Sequence, residues 1–300
     1  MDIEELKSRL ETNGLGHCFD KLKLHVRNSI RLHLNATDEN CMAVGRTKIG
    51  GRPDLPKDIP WVTETNIKVS REKKFFFFYS KKKETITKPL SFIAQINLSE
   101  VSPFDQDGLL PQTGILYFFY TSDQDAWGYS HKDKNRFKII YWDGDFSELR
   151  RIDFPKDLPV YSRFNPCSVD VKSEISLPSH EHEIYNSLSD VDKDIFWEKI
   201  KGDDELINKL LGYSDNIQDE MEIDCEHLYN WPGNNIVNYN AKKAAIFRSE
   251  AAKWRLLLQI DSDETSEMMW GDCGRLYFWV KKEAMLNKQF DKTWFFLQCY

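Results

Sequence analysis

No run of apolar residues in this 300-residue sequence reaches the roughly 20 that a membrane-spanning helix requires. The charged opening stretch MDIEELKSRL also lacks the apolar centre of a secretory signal. Both absences lead to the expectation of a cytoplasmic protein. An excess of positive charge is missing too. The balance of 41 Lys and Arg against 48 Asp and Glu leaves a net charge of −7, which argues against a general nucleic-acid binder, whose surface must neutralise phosphates. No C-x-x-C pair occurs among the six cysteines at 18, 41, 167, 225, 273 and 299, so they are expected as reduced side chains, not as a disulfide framework or zinc site. A glycine-rich phosphate loop, a G-x-S-x-G elbow and a paired-histidine helix are all absent, and with them the common signatures of phosphoryl transfer, serine hydrolysis and zinc hydrolysis. No cofactor and no metal are expected.

What is present is a globular chain somewhat rich in Phe, Tyr and Trp, with 41% hydrophobic residues, enough to bury a sizeable core. Ile3, Leu6 and Leu10 stand at helical spacing and are followed by Gly14 and Gly16, which end that helix; Phe19, Leu22 and Val26 fit a second. The stretch SIRLHLNAT alternates Ile30, Leu32 and Leu34 with polar residues, the period of a half-buried strand. From 89 to 152 the signal is β: PLSFIAQINL, GILYFFY, and RFKIIYWDGDFSELRRI, the last predicted as a hairpin turning at Asp143 and Gly144. Pro, Ser and acidic residues dominate 155 to 183, and helices are predicted over 189–200 and 203–213, with Gly212 as terminator. The segment from 240 begins as a helix and ends as a strand at LLLQI.

Part of the sequence is said twice. Gln95 of FIAQIN and Gln259 of LLLQID lie 164 residues apart, Gly114 of GILYFF and Gly274 of GRLYFW 160, and Gly51 and Gly212, each opening an irregular stretch, 161. Any two hairpins share apolar runs and a glycine turn, but identical glutamines in apolar strands and a shared G-x-L-Y-F favour duplication. Two copies are too few for a solenoid. The expected fold is therefore α+β, with mainly antiparallel sheets in two pseudo-symmetric, duplicated halves and flanking helices. The expected division is helices and a first strand over 1–45, a first β-rich half over 46–154, a connector over 155–188, and a second half over 189–300 packed against the first as one unit. A primary amide buried in an apolar strand must find partners. Gln95 and Gln259 are thus expected either to hydrogen-bond neighbouring backbone at strand ends, the preferred reading, or to share a polar seam or ligand cleft between the halves.

The blocks KIGGRPDLPKDIPW (48–61), PLSFIAQINL (89–98), LPQTGILYFFY (110–120), WGY (127–129), LLGYSDNIQDEM (210–221) and LLLQIDSD with MMWGDCGRLYFWV (256–280) together resemble the YwqG-like family, a group of mainly bacterial proteins. The resemblance covers most of the chain from about residue 48. It implies an α+β fold with an internal duplication and supplies no catalytic residues. Where the family is shorter, after Trp61, this chain inserts REKKFFFFYSKKKETITK.

Candidate chemistry is modest. Residues 68–88 hold eight Lys or Arg around the run Phe75–Tyr79; a strand guarded by lysines is preferred over contact with a membrane or partner. His180 and His182 lie beside Glu181 and Glu183 in a polar loop, a weak metal motif. The acidic loop Asp261–Asp272 has Ser266 where a calcium loop needs glycine. Trp270 and Asp272, with Trp127 as a counterpart in the first half, form the sharper candidate, since an indole beside a carboxylate binds ligands by stacking and hydrogen bonding. Core packing, with the adjacent glycines making room for the indoles, is the alternative. The leading expectation is a monomeric binding or interaction protein, possible in an immunity-like role, that meets a protein partner or a small polar ligand at Gln95, Trp127, Gln259, Trp270 and Asp272. The competing one is an enzyme on a small polar or sugar-like ligand, with Asp272 and either Asp261 or Glu267 as acid and base. A pocket of convergent carboxylates between the halves favours the enzyme; a filled seam favours binding.

Overall fold

The structure, a computed structural model, describes residues 1–75, 78–180, 182–201, 206–230 and 241–300, and of 66–75, 78–83 and 241–244 the backbone only. The strands are β1 (Arg27–Ala36), β2 (Lys48–Ile49), β3 (Asp54–Pro56), β4 (Thr63–Phe75), β5 (Phe78–Pro89), β6 (Ser91–Asn97), β7 (Ile115–Tyr120), β8 (Phe137–Trp142), β9 (Leu149–Arg151), β10 (Cys167–Ser176), β11 (Lys209–Leu211), β12 (Trp254–Asp261), β13 (Arg275–Lys281) and β14 (Trp294–Gln298). Ten of them form one antiparallel sheet in the order β14-β13-β12-β11-β1-β10-β2-β6-β7-β8. Its centre is the ten-residue pairing of β1 with β10, Arg27 opposite Ser176 through Ala36 opposite Cys167.

The sheet curls until its two ends meet, and the fold is nearly a closed barrel. Phe118 of β7 packs on Phe278 of β13 with ring centroids 5.2 Å apart, and Phe137 of β8 on Phe295 of β14 at 4.7 Å. Along β7, Leu116, Phe118 and Tyr120 join the interior core, while Ile115, Tyr117 and Phe119 join a second cluster outside with Leu55, Leu90 and Phe92. Likewise Leu276, Phe278 and Val280 of β13 point in, and Tyr277 and Trp279 face Met221, Cys225 and Leu228. Burial on both faces is why these strands read as unbroken apolar runs without alternation. The edge of β14 is covered by the segment at Trp127 and Gly128: the Leu297 N–H donates to the Trp127 carbonyl at 3.1 Å, and the Trp294 indole N–H to the Gly128 carbonyl at 2.9 Å. An edge so capped is closed to further strands.

The amino-terminal helix Ile3–Thr12 is capped by Asp2, whose carboxylate accepts from the Glu5 N–H at 2.8 Å. Leu6 and Leu10 pack there with Leu177, Tyr185, Phe196 and Ile200. β4 and β5 pair only with each other, Thr63 opposite Pro89. The aromatic and basic run of 68–88 thus belongs to a separate hairpin; its residues 76 and 77, and the side chains of 68–83, lie outside the described residues.

Three expectations are corrected. Asp143 and Gly144 do not turn a hairpin: β8 pairs with β7, and β9 pairs with β3. Gly144 lacks the left-handed φ that such a turn needs, and the Asp145 carboxylate accepts from the Ser147 N–H at 2.9 Å, starting a helical turn that carries the chain off the sheet. Within 203–213, where a helix was expected, Lys209–Leu211 is a strand held on both sides by β1 and β12; that pairing outweighs local helix preference. The connector contains β10, whose alternation of Cys167, Val169 and Val171 with polar residues lies beneath its Pro- and Ser-rich composition.

Phe278 contacts both Phe118 and Phe137 inside the sheet. Phe278→Ala should therefore lower the unfolding free energy by about 3–5 kcal/mol, read from urea denaturation at constant m-value.

Candidate functional site

Gln95 sits on the outer face of β6 and is fully buried. Its side-chain oxygen accepts from the Asp54 N–H at 2.8 Å, and its amide nitrogen donates to the Arg46 carbonyl at 2.8 Å and to Asp54 Oδ2 at 2.9 Å. In register it lies between Lys48 of β2 and Tyr117 of β7. The Tyr117 hydroxyl donates to the Asp54 carbonyl at 2.7 Å, and Lys48 Nζ stands 3.4 Å from Asp54 Oδ2. Gln259 is equally buried on β12. Its oxygen accepts from the Asp215 N–H at 2.9 Å, and its nitrogen donates to the Ile207 carbonyl at 3.0 Å and to Asp215 Oδ2 at 3.1 Å. It lies between Lys209 and Tyr277; the Tyr277 hydroxyl donates to the Asp215 carbonyl at 2.7 Å, and Lys209 pairs with Asp215.

Each amide thus ties the chain before a short strand, through a backbone carbonyl, to the loop after it, through an aspartate N–H and carboxylate. The loops start alike: Gly50 and Gly51 have φ of +67° and +69°, Leu211 and Gly212 of +60° and +78°. At Gly212 a Cβ would also lie 2.7 Å from that of Ser29, so the left-handed turn and the close approach to β1 both call for glycine. Each glutamine strand carries a register shift, between Phe92 and Ala94 and between Leu256 and Leu258.

Electrostatics reinforce the loops. Burial alone would raise the Asp54 carboxyl, but the Arg151 guanidinium at 2.8 Å, Lys48 and the Gly45 N–H hold it below the usual carboxylate range. Burial is likewise overcome at Asp215, where the charges of Lys209 and Lys201 hold it down. These are structural anchors. Four strands, β2, β10, β1 and β11, separate β6 from β12 in the sheet, and Gln95 and Gln259 share no polar seam.

Trp127, Trp270 and Asp272 do come together, at one end of the barrel. A Cβ on Gly271 would touch the Trp127 ring at 3.4 Å: the glycine makes room for the indole. Trp270 itself is fully buried between Tyr120 and Phe164, centroids 5.8 and 5.4 Å away, so its ring packs the core and offers no ligand platform. Asp272 is exposed, its carbonyl accepting from the Tyr300 N–H at 3.3 Å. Asp261 is committed elsewhere, accepting from the Ile207 N–H at 3.0 Å and from Arg275 at 2.9 Å. His182 Nδ1 accepts from the Ile184 N–H at 3.2 Å, and Glu181 lies outside the described residues. Among the described residues no group of His, Cys, Asp and Glu is placed to hold a metal ion.

Sequence reasoning missed the neighbours of Trp127. Tyr129 stacks on Phe296 at 4.8 Å and its hydroxyl meets the Gln298 amide at 3.3 Å. Trp127, Tyr129, Met269 and Tyr300 are 42, 44, 50 and 80% exposed; of these, Trp127 lies against Gly271 and the Tyr300 backbone meets Asp272. Isolated exposed aromatics carry no sequence pattern, so only the W-G-Y run hinted at it.

The molecule is thus a mixed helix-and-sheet protein with a nearly closed, filled sheet and exposed aromatic residues at Trp127 and Tyr129. The chain belongs to the family described as a domain of unknown function, DUF1963, whose model matches residues 47–299. No curated protein matches it.

Gln259→Leu should cost about 1–3 kcal/mol for each buried group left unpaired, measured by urea denaturation. Asp54 and Asp215 are stronger acids folded than unfolded, so their contribution is present above the ordinary carboxylate range and is lost as pH falls below that range through their lowered folded values. The urea midpoint should fall below about pH 4, and less steeply in Asp54→Asn.

Proposed function

We propose that this is a YwqG-like, cytoplasmic binding protein built from two copies of one unit, and that it docks a protein partner through the aromatic patch at the barrel end. Duplication is supported by the recurrence of one set of parts at nearly constant spacing: lysine, paired left-handed residues, aspartate, glutamine and tyrosine, with the same hydrogen bonds.

The observation that carries the binding reading is that Trp127, 42% exposed, lies against Gly271, so that an exposed indole from one part of the chain meets the segment of the exposed Met269 and Asp272 from another. Aromatic residues and Met are enriched where proteins bind proteins. The patch includes an exposed carboxylate, Asp272, on a chain with a net charge of −7. A partner that presents an Arg or Lys fits both features, its cation lying on the Trp127 ring and facing Asp272. The enzyme reading has less support, because Asp261 is held in an ion pair with Arg275 and Trp270 is buried.

The test is affinity capture from a native lysate with the wild-type chain and with Trp127→Ala and Asp272→Lys, both at surface positions and both checked for unchanged thermal unfolding. A stoichiometric partner retained by the wild type and weakened at least about tenfold by each variant, with binding that weakens as salt rises, is the expected result. Equal capture by all three chains, or none, overturns the reading.

A further inference from the structure

A cavity of about 240 Å³ opens on the outer side of the second half, walled by Arg27 at the start of β1, Tyr213 in the turn after β11, Glu222 at the start of the helix Glu222–Asn230, and Arg248 and Trp254. Two of its charged groups have unmet needs. Arg27 lays its guanidinium 3.8 Å over the Tyr213 ring, and its Nη1 is buried with no hydrogen-bond partner. Glu222 has a buried carboxylate oxygen, Oε2, also without one. Opposite in sign and facing one cavity, they form no ion pair with each other. Burial, with Glu220 adding to it, pushes the Glu222 carboxyl up against the opposing pull of Arg27 and Arg255.

The polar groups around them are already engaged. The Tyr213 hydroxyl donates to the His25 carbonyl at 2.9 Å, Ser179 donates to Glu220, Ser214 meets Asn216 at 2.5 Å, and the Trp254 indole N–H donates to Glu226 at 3.0 Å. These hydroxyl, amide and indole groups are therefore not free to turn toward Arg27 or Glu222. A buried charged group left unmet is costly, and a molecule that carries an acceptor for one and a donor for the other relieves both.

We propose that this cavity binds a small zwitterion of the α-amino acid type, its carboxylate on Arg27, with Arg248 adding positive charge, and its ammonium on Glu222. Its side chain lies against Trp254 and Ala251, which supply the apolar wall. The assignment does not depend on the protein-docking patch, which is built from other residues.

The experiment is isothermal titration of the full chain with the standard free amino acids, and with the N-acetylated and the carboxamide forms of whichever binds best. Binding of at least one amino acid is expected, weakened about thirty-fold or more when either charged end is blocked, and by a similar factor in Arg27→Gln and Glu222→Gln. The blocked ligands are tested on the wild-type chain, so the result stands even if a variant fails to fold. No binding by any amino acid, or binding that survives the blocking of both ends, overturns the proposal and leaves water as the occupant.

Discussion

A primary amide inside an apolar strand has two N–H groups and a carbonyl to satisfy, and no water to help. Gln95 and Gln259 meet that demand by clamping a neighbouring short strand at both ends, through a backbone carbonyl before it and the backbone N–H and carboxylate of an aspartate after it. The aspartate in turn brings a buried lysine with it, because an unpaired carboxylate at that depth would be far costlier than a paired one. Much of each half follows from this. The loop has to bend back at once, which two consecutive left-handed residues achieve, and the tyrosine on the next strand supplies a hydroxyl for the aspartate carbonyl. Break the amide and the loop, the aspartate and the lysine all lose partners together.

The same economy leaves little room for chemistry inside. The space enclosed by the sheet is occupied by Phe118, Phe278, Phe295, Leu258 and their neighbours, and close-packed interiors have few voids larger than water. Polar groups buried in the outer layers are mostly spoken for. Whatever the molecule recognises must therefore be met at its surface or in a recess of its outer layer, where the patch at Trp127 and the cavity at Arg27 lie.

Legibility in the sequence divides along the same line. Strands buried on both faces, such as β7 and β13, announced themselves as apolar runs, and β1 showed its period of two because parts of it reach solvent. The importance of the two glutamines was legible because an amide in an apolar run is physically anomalous; that they act apart was not, since strand order is set by long-range pairing. β11 was hidden by its length of three residues, too short for any periodicity to register against the leucines and charges around it. Trp270 and Trp127 looked alike in sequence, each followed by a glycine, and only the packing of Tyr120 and Phe164 around one of them tells the buried indole from the exposed one. The cavity was invisible because its two unmet charges, Arg27 and Glu222, are nearly two hundred residues apart.

On the proposal that the halves are copies, their differences are more informative than their likeness. In the first, the loop after the aspartate becomes β3, paired with β9, and Arg151 from β9 reaches back to both Asp54 and the Met42 carbonyl. In the second, the loop runs on without a strand: the Gln298 side chain accepts from the Ile217 and Gln218 N–H groups and donates to the Asp219 carbonyl, and the chain then enters the helix Glu222–Asn230. The helix has a recess at its amino end, walled by Arg27 of the central strand and Glu222 of the helix itself. The inner strands, bound by the demands of the amide, could not diverge without unfolding; the outer cover could, and that is where an unmatched pair of charges has accumulated.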